Sequence, residues 1–192
     1  MRLRSAVFLL VACISTVALS LGCRAPAPPA QEEPAAQKPQ IHGTLMQVMR
    51  PILFVNSNVI FTAQGDDPEK MKDDDFPATS PNPLTGLYGK WLAVENAGIA
   101  LAEAANLLII PGRMCSTNIP APIDDPKWIK AVQGLRDAGM ASYEAAKTKN
   151  QDKIVEVSET LANACLACHE IWRDVEPLAN RCKADLQAPA NP

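Results

Sequence analysis

Asn150-Gln-Asp-Lys-Ile-Val-Glu-Val-Ser-Glu-Thr-Leu-Ala-Asn-Ala-Cys165-Leu-Ala-Cys168-His169-Glu-Ile-Trp172-Arg173-Asp-Val-Glu-Pro177 is the stretch on which the fold turns. Ile154, Val157, Leu161, Cys165, Cys168, Trp172 and Val175 recur at steps of three and four, as on one face of an α-helix, and Pro177 stops the pattern. Three earlier segments repeat it. The first carries Ile41, Leu45, Val48/Met49, Ile52, Val55 and Val59, with Thr44 and Gln47 placed as a capping box and Pro51 set to kink the helix or remove one hydrogen bond. The second carries Leu87, Trp91, Val94, Gly98, Leu101, Ala105 and Leu108 and ends at Pro111-Gly112. The third carries Trp128, Val132, Leu135, Gly139, Ser142 and Ala146, with Asp124/Asp125-Pro126 as its start. Four such stripes with mostly short links predict an all-α chain, an antiparallel up-down-up-down four-helix bundle over residues 41–185.

Composition narrows the class. The chain has 192 residues, 47% hydrophobic and 20% charged, so global disorder is excluded. Aromatics are only 5%, which argues against a β-sandwich or barrel. The net charge is −3 and no Lys/Arg stripe is present, so a nucleic-acid partner is not expected. Residues 1–22 read as a signal peptide: a basic start at Arg2 and Arg4, then an uncharged apolar run. Removing them moves the net charge from −3 to −5. Ala18-Leu-Ser-Leu-Gly22-Cys23 resembles the lipobox of bacterial lipoproteins, which would make Cys23 a lipidation site; a cleaved soluble form and an uncleaved anchor are the alternatives. Residues 23–40 are a Pro/Ala-rich tether with no periodic apolar positions. The expected location is the periplasmic side of the membrane, reached through a lipid anchor. Residues 64–83 form an acidic loop, six carboxylates against Lys70 and Lys72, read as solvated or as a docking surface for a basic partner. Residues 186–192 are a short tail.

Cys165-Leu-Ala-Cys168-His169 is a Cys-x-x-Cys-His motif, the attachment signature of c-type haem. On a helix the two cysteines share a face, so both thiols can reach the two vinyl groups of one porphyrin, and His169 can offer its imidazole to the iron. A dithiol redox pair needs no histidine and usually opens a helix beside a strand. Structural zinc would need a fourth ligand such as Cys182.

The run Cys165-Leu-Ala-Cys168-His169-Glu-Ile-Trp172-Arg173 resembles the cytochrome c′ and cytochrome c556 family, four-helix bundles with one covalent haem on the last helix. Met49–Phe61 and Tyr88–Asn96 look like an exported subgroup of monohaem cytochromes. The resemblance implies that Arg173 lies beside the proximal histidine and Trp172 beside the haem. It further implies pairing of copies through the first two helices, hence a homodimer.

Topology adds two expectations. In the expected bundle the first helix starts, and the second and fourth end, at one pole. Cys115 follows the second helix and Cys182 the fourth, and of six cysteines Cys13, Cys23 and the motif pair are otherwise used. A Cys115–Cys182 disulfide is therefore expected, with two free thiols, or zinc or haem-side ligation by one of them, as alternatives. His169 lies roughly 10 Å from the end of its helix, at 1.5 Å per residue. At that height the first helix offers Met49 first and Met46 next as the second axial ligand. Both also suit plain core filling. The c556 branch of the resembled family uses such a methionine; the c′ branch has an apolar residue and an open iron. His42 precedes the expected helix start and is set aside. The expected function is electron transfer with redox partners unidentified. The alternative is a five-coordinate haem protein binding NO or CO as sensor or scavenger. With no acid–base pair or cleft visible in the sequence, no enzymatic turnover is expected.

Overall fold

The computed structural model describes residues 38–183. The expected signal peptide, Cys23, the tether up to residue 37 and the tail 186–192 lie outside them. The described chain is mostly helical: four long helices and short 3-10 turns, joined by irregular segments. Among the described residues the only extended pairing is an isolated bridge between Met114 and Pro120.

Helix α1 (45–65) begins at the capping box. Thr44 Oγ1 accepts from the Gln47 N–H (3.4 Å), and the Thr44 N–H donates to Gln47 Oε1 (2.9 Å). Its ladder changes pitch: Leu45–Val48 and Val55–Gly65 are α-helical, and Met49–Phe54 between them is π-helical. Pro51 sits inside the π segment and has no N–H to return to residue 47. A wider turn accommodates that gap. The extra width also rotates the second half of the helix about its axis. Val55, counted in the buried stripe, is 46% exposed, while Ser57, Ile60 and Ala63 turn inward. Ile41 precedes the helix and is exposed.

Helix α2 (Lys90–Ala104) runs on as the 3-10 turn Ala105–Ile109. Leu87, counted in its stripe, lies before the helix and faces solvent. The segment Lys90–Ile109 is long and apolar enough to cross a membrane by length and composition, and half of its apolar window is buried against the other helices. Helix α3 (Pro126–Lys147) is capped by Asp125, whose Oδ1 accepts from the Lys127 N–H at 2.7 Å. Helix α4 (Gln151–Trp172) is capped by Asn150, which accepts from the Asp152 N–H at 2.8 Å.

The helices meet as neighbours α1–α2, α2–α3, α3–α4 and α4–α1. Helices α2 and α3 come close together at Gly98 and Gly139. A Cβ on Gly98 would lie 2.6 Å from the Tyr143 nitrogen, and one on Gly139 would lie 2.7 Å from the Ala102 nitrogen. Here α2 and α3 touch backbone to backbone. Polar ties fix the helix ends. The Leu45 N–H donates to the Met114 carbonyl (2.8 Å), and Trp128 Nε1 donates to the Leu108 carbonyl (3.1 Å). Buried Arg113 donates to the carbonyls of Leu107 (2.6 Å) and Gly43 (2.7 Å). Together these place the starts of α1 and α3 beside the end of α2. At the other end Gln151 Nε2 donates to the Gln64 carbonyl (3.2 Å), joining the end of α1 to the start of α4. The acidic segment folds back over that end through buried Pro68 and Leu84. Surface pairs Lys70–Asp67 (2.8 Å) and Lys90–Asp73 (3.5 Å) accompany it.

Candidate functional site

A cavity of about 370 Å³ opens where the starts of α1 and α3 meet the ends of α2 and α4. That falls within the roughly 300–1,000 Å³ typical of cofactor and small-molecule sites. Leu53, Leu101, Leu108, Trp128, Val132 and Leu135 supply its apolar walls. Cys165, Cys168, His169, Trp172 and Arg173 enter from α4, and Met46 and Met49 from α1. The helical period accounts for the α4 set: steps of three and four keep these side chains on one face as the helix passes the cavity. Met46 and Met49 are both half-buried, and both reach the lining. His42 is exposed and lies outside it.

Burial governs the electrostatics. Cys165 and Cys168 are free thiols. Desolvation raises both, and Cys168 is pushed up to about 12, with the neighbouring Cys165 adding to burial and Arg173 opposing it. Burial also holds the His169 imidazole below its usual value, and the positive charge of Arg173 acts in the same direction. The neutral form of His169, with a lone pair to donate, is thereby favoured. Arg173 forks onto its neighbour Asp174, Nε to Oδ1 at 2.6 Å and Nη2 to Oδ2 at 2.7 Å. The guanidinium holds Asp174 below the usual carboxylate range. Trp172 is buried and meets the fully buried Trp128 edge to face, with ring centroids 5.0 Å apart at 73°.

Cys115 and Cys182 are joined as a disulfide, with Cα atoms 6.5 Å apart, and both line the cavity. Cys182 is therefore not available as the fourth ligand of a zinc site. Among the described residues no group of three or more His, Cys, Asp or Glu side chains is placed to hold a metal ion.

Two arginines at the site were not singled out in the sequence. Arg50 follows Met49 on α1, and Arg181 immediately precedes Cys182. Adjacency to an expected ligand and to an expected disulfide was the available signal for each. Two buried donors, Trp172 Nε1 and Arg181 Nε, have no hydrogen-bond partner. Compared with known proteins, the chain matches no family model, no curated protein and no solved structure.

Proposed function

We propose that this chain is an exported, lipid-anchored monohaem c-type cytochrome that transfers electrons on the periplasmic side of the membrane. In this reading the four helices form an antiparallel up-down-up-down bundle, and one haem c occupies the cavity at one pole. The observation that carries it is convergence. Both free cysteines of the Cys-x-x-Cys-His motif, its histidine and two methionines from another helix line one apolar cavity. Cys165 and Cys168 would hold the group through thioethers. His169 from α4 and Met49, or alternatively Met46, from α1 would be the residues that bind the iron. When bound, the haem supplies one-electron chemistry at its iron.

The chain's own residues suit that task. The neutral imidazole of His169 keeps its lone pair for ligation, and the depressed affinity for a proton means that ordinary acidification competes weakly. The aliphatic walls and the Trp128–Trp172 pair exclude water from the cavity's inner side, which favours a less charged iron and a higher potential. A thioether ligand on α1 would act in the same direction.

The second reading, a five-coordinate protein binding NO or CO, is favoured by Leu53 and Phe54. Both line the α1 side of the cavity and would leave the iron open if neither methionine reached it. Spectroscopy of the haem-loaded protein separates the two. Electron transfer predicts a low-spin ferric spectrum with a far-red methionine-to-iron band, and Met49→Ala should abolish that band and let the reduced protein bind CO. If Met46→Ala does this instead, the ligand is Met46. A wild-type high-spin spectrum with immediate CO binding would overturn the electron-transfer assignment in favour of gas binding.

A further inference from the structure

One side of the cavity is built from chain outside the four helices. Cys115 and Ser116, in the segment after α2, and Arg181 and Cys182, beyond the end of α4, all line it. Residues 173–183 form a strap that leaves α4 at Trp172 and comes back to it, where the Cys182 N–H donates to the Trp172 carbonyl at 3.0 Å. Packing does little to hold that strap. From Arg173 to Ala179 only Val175 is partly buried, and Leu178 is 54% exposed. Beyond Asp174 its other backbone hydrogen bonds run within the strap: Asn180 N–H to the Pro177 carbonyl (2.8 Å), Arg181 N–H to Leu178 (3.2 Å) and Lys183 N–H to Asn180 (3.0 Å). Two ties reach the segment after α2. Thr117 Oγ1 donates to the Arg181 carbonyl at 3.3 Å, and Cys182 is bonded to Cys115.

Two neutral hydrogen bonds offset little of the entropy lost in ordering about ten residues, so the disulfide is what holds this wall shut. The closed strap also carries costs that opening relieves. Cys182 has a φ of 65°, in the left-handed region that residues with a Cβ rarely adopt. Arg181 Nε is buried with no hydrogen-bond partner, and water reaches it once the strap lifts. We infer that the strap is a gate on the cavity and that the Cys115–Cys182 bridge is its latch. Cleaving the bridge frees residues 173–183 and opens the cavity wall, while the four helices, each packed on its two neighbours, stay together. In that step two electrons and two protons pass from a dithiol to the bridge sulfurs; the S–S bond breaks, two thiols form, and the dithiol becomes a disulfide. Both bridge cysteines line the cavity, so a small dithiol approaches them through it. The gate serves whatever molecule the cavity takes, haem on the reading above, and its test requires none.

The full chain with both motif thiols free is compared with three others. These are the double variant Cys115→Ser with Cys182→Ser, the wild type reduced with dithiothreitol and then freed of it, and Gly98→Ala. The last is the control that loses stability with the bridge intact, since its Cβ would lie 2.6 Å from the Tyr143 nitrogen. Mass spectrometry reads two rates, iodoacetamide alkylation of Cys165 and Cys168 and trypsin cleavage after Arg181, while circular dichroism follows the helices. Opening the latch should raise both rates by about tenfold or more at an unchanged helical signal, because a local opening exposes its segment without global unfolding. Gly98→Ala should leave both rates near those of the wild type. The reduced wild type carries the comparison if the double variant does not accumulate. Rates equal to the wild type in the chains without the bridge overturn the inference. An equal rise in Gly98→Ala, which marks global unfolding, overturns it too, as does loss of the helical signal when the bridge is cut. Failure of haem to attach refutes the cytochrome reading and leaves this test unaffected.

Discussion

Two chemically identical substitutions should change stability in opposite directions. Gly98 on α2 and Gly134 on α3 are both helical glycines, and alanine is the better helix former by about 1 kcal/mol. At Gly134 an added Cβ meets nothing within 4 Å, so that gain should appear nearly whole. At Gly98 the Cβ would lie 2.6 Å from the Tyr143 nitrogen and 2.9 Å from the Gly139 carbonyl oxygen, where ordinary contact begins at 3.4 Å. Both neighbours are backbone, so no side chain can swing aside. The two helices must part by about 0.8 Å, the difference between those distances. Overpacking of a tight core costs about 1–3 kcal/mol. Taking the upper end for a rigid backbone clash and subtracting the propensity gain leaves Gly98→Ala destabilised by about 2 kcal/mol. With a urea m-value near ~2 kcal/mol/M, its midpoint should fall by about 1 M, and that of Gly134→Ala should rise by about 0.5 M. Equilibrium urea unfolding followed by far-ultraviolet circular dichroism measures both. A Gly98→Ala protein as stable as Gly134→Ala would refute the backbone contact between α2 and α3.

The sulfur atoms supply two further expected outcomes. In the folded chain with both motif thiols free, the Cys168 thiol stays protonated to about 12, whereas an unfolded thiol ionises from its ordinary 9.0. Above that lower value the unfolded state holds fewer protons than the folded one, so stability falls as pH rises, by about 1.4 kcal/mol at one unit above it. Denaturant midpoints measured between pH 8 and ~11 should show the decline, and Cys168→Ala should lessen it, the raised Cys165 thiol keeping a part; a wild-type profile level over that range contradicts the buried placement. The Cys115–Cys182 bridge spans 67 residues, a loop for which chain entropy gives about 4 kcal/mol. The double change Cys115→Ser with Cys182→Ser should lower unfolding free energy by that order, and a loss under ~1 kcal/mol would show that the bridge constrains little of the unfolded chain.

Much of the fold could be read from spacing because a regular α-helix has one period. Trp128, Val132, Leu135, Gly139, Ser142 and Ala146 are all buried on α3, as steps of three and four require. The same reasoning misplaced Val55, since a π segment adds width that a fixed period does not contain. Pro51 signalled a disturbance at that point without specifying its form. The site divides in the same way. Cys165, Cys168, His169, Trp172 and Arg173 share a face of one helix, so their meeting in one cavity follows from local geometry. Cys115 and Cys182 could be paired because both follow helix ends expected at one pole. Arg181 could not be placed beforehand, because its position depends on the path of the chain after α4 and on hydrogen bonds to Trp172 and Thr117. Met46 and Met49 were both named from the height of the histidine, and both line the cavity, so side-chain reach rather than helix position distinguishes them.

The four cavity-lining sulfurs of cysteine also pose a sorting problem during biogenesis. Cys115, Cys165, Cys168 and Cys182 admit three complete pairings, and only one of them keeps the Cys-x-x-Cys-His thiols apart from the outer pair. Disulfide exchange needs a thiolate as the attacking species. Desolvation keeps Cys165 and Cys168 protonated, which makes them poor attackers once the chain has folded. Once formed, the outer bridge is therefore shielded from attack by the inner pair, whose thiols stay chemically quiet.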